Sequence, residues 1–133
     1  MTPLEVVGEF VAAINAGDAE RLASLMTSDH VFVDADGSEH GDREKMGPGW
    51  REYFEMVPDF RIEVADRFSR RNIVVLTGAA SGTFLQEGEL RPENHWSVPA
   101  AWRVVVESES VAVWQLYANQ HPMHQILDRI RAD

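Results

Sequence analysis

The sequence predicts an α+β fold in which helices come first and an antiparallel sheet follows. Up to Val57, apolar residues mostly recur at helical spacing. From Phe60 to Asn119 they alternate with polar residues in about four consecutive strands separated by turn formers. Helices set apart from a strand meander favour α+β over a doubly wound fold. The length of 133 residues fits one core, so we expect residues 1–133 to form a single domain.

The first helix is predicted by an apolar stripe that ends at Gly17. The stripe comprises Leu4, Val7, Val11 and Ile14, with Phe10 beside it. Asp18 is a good N-cap for a second helix. The predicted buried stripe of that helix is Leu22, Leu25 and Met26, and Thr27–Asp29 ends it.

A short strand, Val31–Asp34, is predicted next, and Asp42 can cap a third helical segment. The apolar residues of this segment are Met46, Trp50, Tyr53, Phe54 and Val57. Gly47-Pro48-Gly49 predicts a kink or a separate first turn, and Pro58 ends the segment.

The second half predicts a run of strands and a last helix. The strands are Phe60–Val64, Ile73–Leu85, Val98–Glu107 and Val111–Asn119. Gly78 and Gly82 predict a bend or bulge in the long second strand of this run. The polar stretch 86–97 is interpreted as a loop, and Pro122 can open the final helix.

The charge balance excludes some classes of partner. Twelve basic residues against 22 acidic ones give a net charge of -10, which disfavours nucleic acid and anionic membranes. The chain has no cysteine, its first residues lack the pattern of a signal peptide, and no apolar stretch is long enough to span a bilayer. We therefore expect a cytoplasmic protein.

Asp34 is the most informative residue in the chain. It closes the apolar run His30-Val31-Phe32-Val33, just before the turn formers Asp36 and Gly37. If the run is a strand, Asp34 lies on the same face as Phe32 and His30. A carboxylate on an apolar face loses hydration and becomes a better proton acceptor. The alternative is an ordinary solvated turn residue or helix cap.

Several motifs together resemble the nuclear transport factor 2-like superfamily, and within it the SnoaL-like polyketide cyclase and ketosteroid isomerase branch. These motifs are residues 10–18, 29–41, Val57-Pro58-Asp59, Gly82-Thr83 and 114–119. The resemblance implies a curved antiparallel sheet wrapped by helices into a cone around an apolar pocket, often dimerising through the sheet. Function varies widely within such a fold, so the resemblance alone does not define the chemistry.

The resemblance places the general base of the isomerase on Asp34. The isomerase also uses a tyrosine and a protonated aspartate to bind the developing oxyanion. The tyrosine falls on Phe10, and the aspartate on Ala100 or Ala101, none of which can donate a hydrogen bond. Loss of one such donor costs about two to three orders of magnitude in rate, so efficient steroid isomerisation by the usual arrangement is disfavoured.

Other residues are candidates for the same pocket. Asn119 could donate to an oxyanion or orient a water, although a strand-terminal cap is the simpler reading, and Tyr117 shares its strand parity. The predicted ligand-binding residues are Phe10, Phe32, Trp50, Tyr53, Phe54, Phe84, His95 and Trp102. His95 could act as a proton shuttle or be an ordinary loop histidine. Trp102 or Trp114 could instead lie in a dimer interface.

Three functions follow from these residues. The first is an enzyme in which Asp34 removes a proton next to a carbonyl, for isomerisation or cyclisation, or activates a water for hydrolysis. The second is a non-catalytic domain that binds a small hydrophobic molecule, and the third is a structural dimer with a collapsed pocket. No metal site and no cofactor are predicted, because His121 and His124 stand without acidic partners nearby.

Overall fold

The computed structural model describes all 133 residues and contains four helices and one curved six-stranded sheet. The elements are α1 (Pro3–Ala16), α2 (Ala19–Ser24), β1 (Met26–Val33), β2 (Glu39–Gly41), α3 (Arg43–Met56), β3 (Arg61–Arg70), β4 (Ile73–Thr83), β5 (His95–Glu107), β6 (Ser110–Ala118) and α4 (His121–Ala132). The strand order is β2-β1-β6-β5-β4-β3, and only β1 and β6 run parallel. The predicted α+β class is confirmed. None of the four helices combines the length and apolar character needed to cross a membrane.

The ends of α1 follow the sequence signals. Thr2 accepts a hydrogen bond from the Glu5 amide, and the Glu5 side chain bonds back to the Thr2 amide, which forms a capping box. Gly17 ends the helix with φ of 65°, a left-handed conformation that glycine adopts without strain. Helix α1 lies across the inner face of the sheet, where 26 buried residues form the core.

Several predictions in the first half are wrong. Met26 belongs to β1 and not to the second helix, because it pairs with Val111 of β6 and the Val111 amide bonds to the Leu25 carbonyl. Residues 27–29 therefore belong to β1, and the second helix has already ended at Ser24. Strand β2 was not predicted, and α3 runs through Gly47-Pro48-Gly49 without a separate first turn. Pro48 lies inside α3, at its sixth residue, so the helix continues there without the amide that would bond to the Glu44 carbonyl.

Several strand boundaries also differ from the prediction. Strand β5 begins at His95, inside the predicted loop, because residues 95–97 pair with β4. Strand β4 ends at Thr83, β6 ends at Ala118, and β3 continues to Arg70. The expected bulge lies in β3 opposite Gly78, between Val64 and Asp66.

Helix α4 is fastened to the β4–β5 connection by a polar network. Arg129 donates to the Asn94 side chain at 2.6 Å and to the Glu93 carbonyl at 2.7 Å. Asn94 is fully buried and donates in turn to the Phe84 carbonyl and to Gln86. The network fixes the C-terminal half of α4, and Met123 and Ile126 bury its apolar face.

Candidate functional site

The sheet and helices α3 and α4 enclose a cavity of about 350 Å³. Fourteen of its 18 lining residues are hydrophobic, so the interior favours an apolar ligand. All four tryptophans of the chain lie on its wall: Trp50, Trp96, Trp102 and Trp114. No lysine or arginine lines it, so the wall has no fixed positive charge for an anionic ligand.

The cavity wall follows the periodicity of its elements. Helix α3 contributes Met46, Gly49, Trp50 and Tyr53, which lie on one helical face. Within each strand the lining residues are separated by two positions or a multiple of two, as in Trp114, Leu116 and Ala118 of β6. Gln120 and Met123 close the wall from the start of α4.

Asp34 is half-buried on this wall and is its only carboxylate. Its Oδ1 accepts hydrogen bonds from the Gln120 side-chain amide at 2.8 Å and from the Ala35 backbone amide at 2.7 Å. Both bonds fall on the same oxygen, so Oδ2 keeps its lone pairs for a ligand. The carboxylate is therefore held in one orientation while one oxygen stays available as a base.

Tyr53 provides a neutral donor beside this carboxylate. Burial first, and then the negative charge of Asp34, raise the pKa of Tyr53 well above its ordinary value. The hydroxyl is therefore protonated throughout the neutral range, and it makes no hydrogen bond within the protein. It can donate to a ligand oxygen.

Two indole N–H groups on the cavity wall also lack a partner. Trp50 is 8% exposed and Trp96 is 4% exposed, and neither Nε1 atom has an acceptor within hydrogen-bond distance. A buried donor without an acceptor costs about 1–3 kcal/mol. Both nitrogen atoms are themselves buried, so neither N–H group is exposed to the cavity.

His40 and Gln120 are lining residues that the sequence reasoning missed. His40 pairs with Phe32 across the β1–β2 hairpin, which puts both side chains on the same face, and their rings lie 6.1 Å apart. The signal for His40 was the turn Asp36-Gly37, which marks a hairpin that would return His40 beside the strand. Gln120 gave no local signal, because it lies 86 residues from Asp34 in the sequence.

Five of the predicted site residues lie on the cavity wall together. They are Asp34, Phe32, Trp50, Tyr53 and Trp102. Trp102 faces inward, and so does Trp114, so neither tryptophan lies on the outer face where a dimer interface was the alternative. The five residues come from three separate parts of the fold: β1 with the residue that follows it, α3 and β5.

Asn119 and Tyr117 do not line the cavity, so their predicted place in the site is wrong. Leu116 and Ala118 line the wall, so Tyr117 points to the opposite face of the sheet, where it is 51% exposed. Asn119 lies just past β6 and is exposed, and its Oδ1 accepts the His121 amide at 3.0 Å. It caps the final turn, which was the simpler reading.

Three aromatic residues that were predicted to bind the ligand lie behind the cavity wall. Phe10 is fully buried and packs on Trp114 with ring centroids 4.8 Å apart. Phe54 packs on Trp50 at 5.5 Å, and Phe84 packs on Trp96 at 6.1 Å. These rings support the lining tryptophans and do not contact the cavity themselves.

His95, the predicted proton shuttle, and His30, predicted on the same strand face as Asp34, both lie apart from the cavity. His95 is exposed on β5 and donates from Nδ1 to Thr83 Oγ1 at 2.9 Å, because the Thr83 hydroxyl itself donates to Asp59. His30 is fully buried, and its Nδ1 donates to the Val111 carbonyl at 2.7 Å. Burial lowers the pKa of His30, so it is neutral and does not tune Asp34 by charge.

No group of three or more histidine, aspartate or glutamate side chains is placed to hold a metal ion. The two positions where the resemblance expects oxyanion donors are occupied by Phe10, which is fully buried, and by Ala100 or Ala101. The donors on the cavity wall are instead Tyr53 and His40.

Comparisons with known proteins give a family and a fold. A profile of the SnoaL-like domain matches residues 7–116. A proposed SnoaL-like polyketide cyclase from Shewanella denitrificans has a TM-score of 0.81 at 14% identity, covering 96% of this chain and 97% of that one. An LEH-like epoxide hydrolase from M. tuberculosis has a TM-score of 0.78 at 13% identity, covering 98% of this chain and 92% of that one.

A third solved structure, IdmH from Streptomyces antibioticus, is described as a proposed polyketide cyclase. It has a TM-score of 0.76 at 19% identity, covering 96% of this chain and 99% of that one. No curated protein sequence matches this chain. At these identities the solved structures establish the nuclear transport factor 2-like fold and nothing about the reaction.

Proposed function

Because this chain belongs to the SnoaL-like domain family, we propose that it is a general-base enzyme acting on a small, uncharged, largely apolar carbonyl compound. One observation carries the proposal. A single carboxylate, fixed through one oxygen by Gln120 and Ala35, stands on the wall of an otherwise apolar cavity. A base of this kind is suited to removing a proton from a carbon next to a carbonyl.

The proposed reaction begins when Asp34 Oδ2 takes the proton. The C–H bond breaks, its electron pair forms the enolate double bond, and the negative charge moves to the carbonyl oxygen. Tyr53 is the donor available to stabilise that oxygen. Return of the proton to another carbon gives an isomer, and attack of the enolate carbon on a second carbonyl gives a ring.

The wall also supports the substrate class. Aromatic side chains from α3, β5 and β6 offer flat surfaces, which suit a cyclic or polycyclic compound. The wall lacks lysine and arginine, so nothing compensates a carboxylate or phosphate on the ligand. A neutral ring system with one or two carbonyl groups fits both features.

A second candidate is a non-catalytic domain that binds the same class of molecule. The observation that favours it is the presence of Phe10, and of Ala100 or Ala101, at the two positions where the isomerases carry oxyanion donors. This candidate predicts binding without proton abstraction, and the experiment below separates the two.

The test uses 2-tetralone, a neutral bicyclic ketone with acidic protons next to its carbonyl. Binding is followed by tryptophan fluorescence, since all four tryptophans line the cavity. Proton abstraction is followed as deuterium incorporation in deuterium oxide by mass spectrometry. We expect exchange that Asp34→Asn lowers by about 10²–10⁴-fold, with binding retained.

Asp29→Asn is the matched control, because Asp29 is exposed on the same strand and does not line the cavity. It should exchange like the wild type. Binding without exchange by the wild type would favour the non-catalytic domain. Equal exchange by the wild type and Asp34→Asn would remove Asp34 from the reaction.

We also propose that two copies pair through the outer face of the sheet. Apolar side chains that alternate with the inward ones lie half-exposed there, among them Val75 and Val105, and Phe68 is 58% exposed. This face carries charges of both signs, with Arg61, Arg70 and Arg103 among Glu39, Glu63, Asp66 and Glu107. Light scattering should give a dimer, and Phe68→Glu should give a monomer; a monomeric wild type would refute the pairing.

A further inference from the structure

We propose that His40, together with Ser38 and Asp36, forms a proton relay between Asp34 and the solvent. The proposal rests on the general-base function and adds to it a route for the captured proton. All four residues belong to the β1–β2 hairpin, so one local structure would contain both the base and its exit path.

The hairpin places His40 on the cavity side of the sheet. His40 is the cross-strand partner of Phe32, and Asp34 lies two residues beyond Phe32 with the same parity. Diagonal neighbours in an antiparallel pair lie about 7–8 Å apart, which side chains or one water can bridge. Asp34 and His40 both line the cavity, and His40 is also exposed to solvent.

Hydrogen bonds continue from the His40 ring to the surface. Ser38 Oγ lies 3.0 Å from His40 Nε2 and 2.6 Å from Asp36 Oδ1. Because a carboxylate only accepts, the Ser38 hydroxyl donates to Asp36, and His40 Nε2–H then donates to Ser38. This tautomer leaves His40 Nδ1 with a free lone pair that can receive a proton.

The groups around His40 fit a transfer toward solvent. Asp34 and Tyr53 are the other titratable side chains on the cavity wall, and Tyr53 stays protonated. On the outer side stands Asp36, which is exposed. Hydrogen bonds from the Ser38 hydroxyl and amide, and the nearby His40, lower the pKa of Asp36, so a proton arriving there passes readily to water.

Each step of the relay moves one proton from a donor to the next acceptor. The proton on Asp34 Oδ2 moves to His40 Nδ1, directly or through one water, and restores the Asp34 carboxylate. His40 Nε2 gives its proton to Ser38 Oγ as the Ser38 proton moves to Asp36, which releases it to bulk water. The same steps in reverse bring a deuteron from the solvent to the substrate carbon.

The test measures 2-tetralone deuterium exchange at low buffer concentration, with binding followed by tryptophan fluorescence. We expect His40→Gln to lower exchange by at least about tenfold without changing the affinity, and added imidazole to restore it. Ser38→Ala should lower exchange less, because His40 itself remains exposed. His124→Gln is the control, since His124 is exposed on α4 and outside the cavity.

Exchange by His40→Gln equal to that of the wild type would overturn the relay and leave the general base in place. A loss of exchange together with affinity, without rescue by imidazole, would also overturn it, because His40 would then be a binding contact. No exchange by the wild type would overturn the general-base proposal and the relay together.

Discussion

The free energy of unfolding of this protein should depend on pH through one buried histidine, His30. His30 is 0% exposed, its Nδ1 donates to the Val111 carbonyl, and its Nε2 has no partner. Burial lowers the pKa of His30 from its ordinary 6.5, because a charged imidazolium would lose its hydration there. The hydrogen bond to Val111 opposes this effect and is the smaller of the two.

The sign and size of this pH dependence follow from how many protons the folded and the unfolded protein bind at His30. Below pH 6.5 the unfolded chain takes up a proton at His30 that the folded protein does not, so acid favours unfolding. The free energy of unfolding should fall by up to about 1.4 kcal/mol per pH unit between 6.5 and the lower folded pKa. Above pH 6.5 this contribution is constant.

The assay is urea unfolding followed by tryptophan fluorescence at several pH values, for the wild type and His30→Asn. Asparagine does not titrate, and its amide can still donate toward the Val111 carbonyl. The other four histidines are common to both proteins and cancel in the comparison. His30→Gln serves as a second variant if the shorter side chain folds poorly.

The wild type should lose stability more steeply than either variant as the pH falls below 6.5. Parallel curves would refute the reasoning, because they would mean that folded His30 takes up a proton as easily as the unfolded chain does. A wild type that loses less stability than the variants would mean that the folded state prefers the charged form.

Two further predictions concern the oxyanion donor and the close approach of β3 and β4. Tyr53→Phe should lower 2-tetralone exchange by about 10²–10³-fold with little change in urea midpoint, since its hydroxyl makes no bond within the protein; equal exchange would exclude it as a donor. Gly78→Ala should destabilise by more than about 2 kcal/mol, because its Cβ would lie 1.8 Å from the Glu63 carbonyl oxygen. Gly8→Ala, in open space on α1, should instead stabilise by up to about 1 kcal/mol, and a reversed order in urea unfolding would contradict both.

Local signals in the sequence were sufficient where a single residue defines an end. Gly17 and Asp18 placed the α1–α2 junction, and the turn formers after Asp34 placed that carboxylate at the end of its strand. Signals failed where pairing between distant segments decided the structure. Met26 follows a helical stripe but pairs with β6, and no local pattern could show that.

The side of β6 that faces the cavity was ambiguous for a related reason. Apolar residues occupy both faces of this strand, as in Val113 and Trp114, so alternation did not distinguish inside from outside. The bulge between Val105 and Val106 shifts its register with β5 and is not visible in the sequence. Tyr117 was therefore assigned to the wrong face, and Gln120, which contacts Asp34, was not found.

The parallel pairing of β1 with β6 sets the order in which the site can assemble. During synthesis, β1 emerges early, yet apart from the three-residue β2 its only strand neighbour is the last strand made. Closing a connection of this length is entropically costly and slow. The edge of β1 that pairs with β6 therefore stays unpaired in the nascent chain until residues near 111–120 leave the ribosome. A chaperone that covers this edge should raise the yield of folded protein.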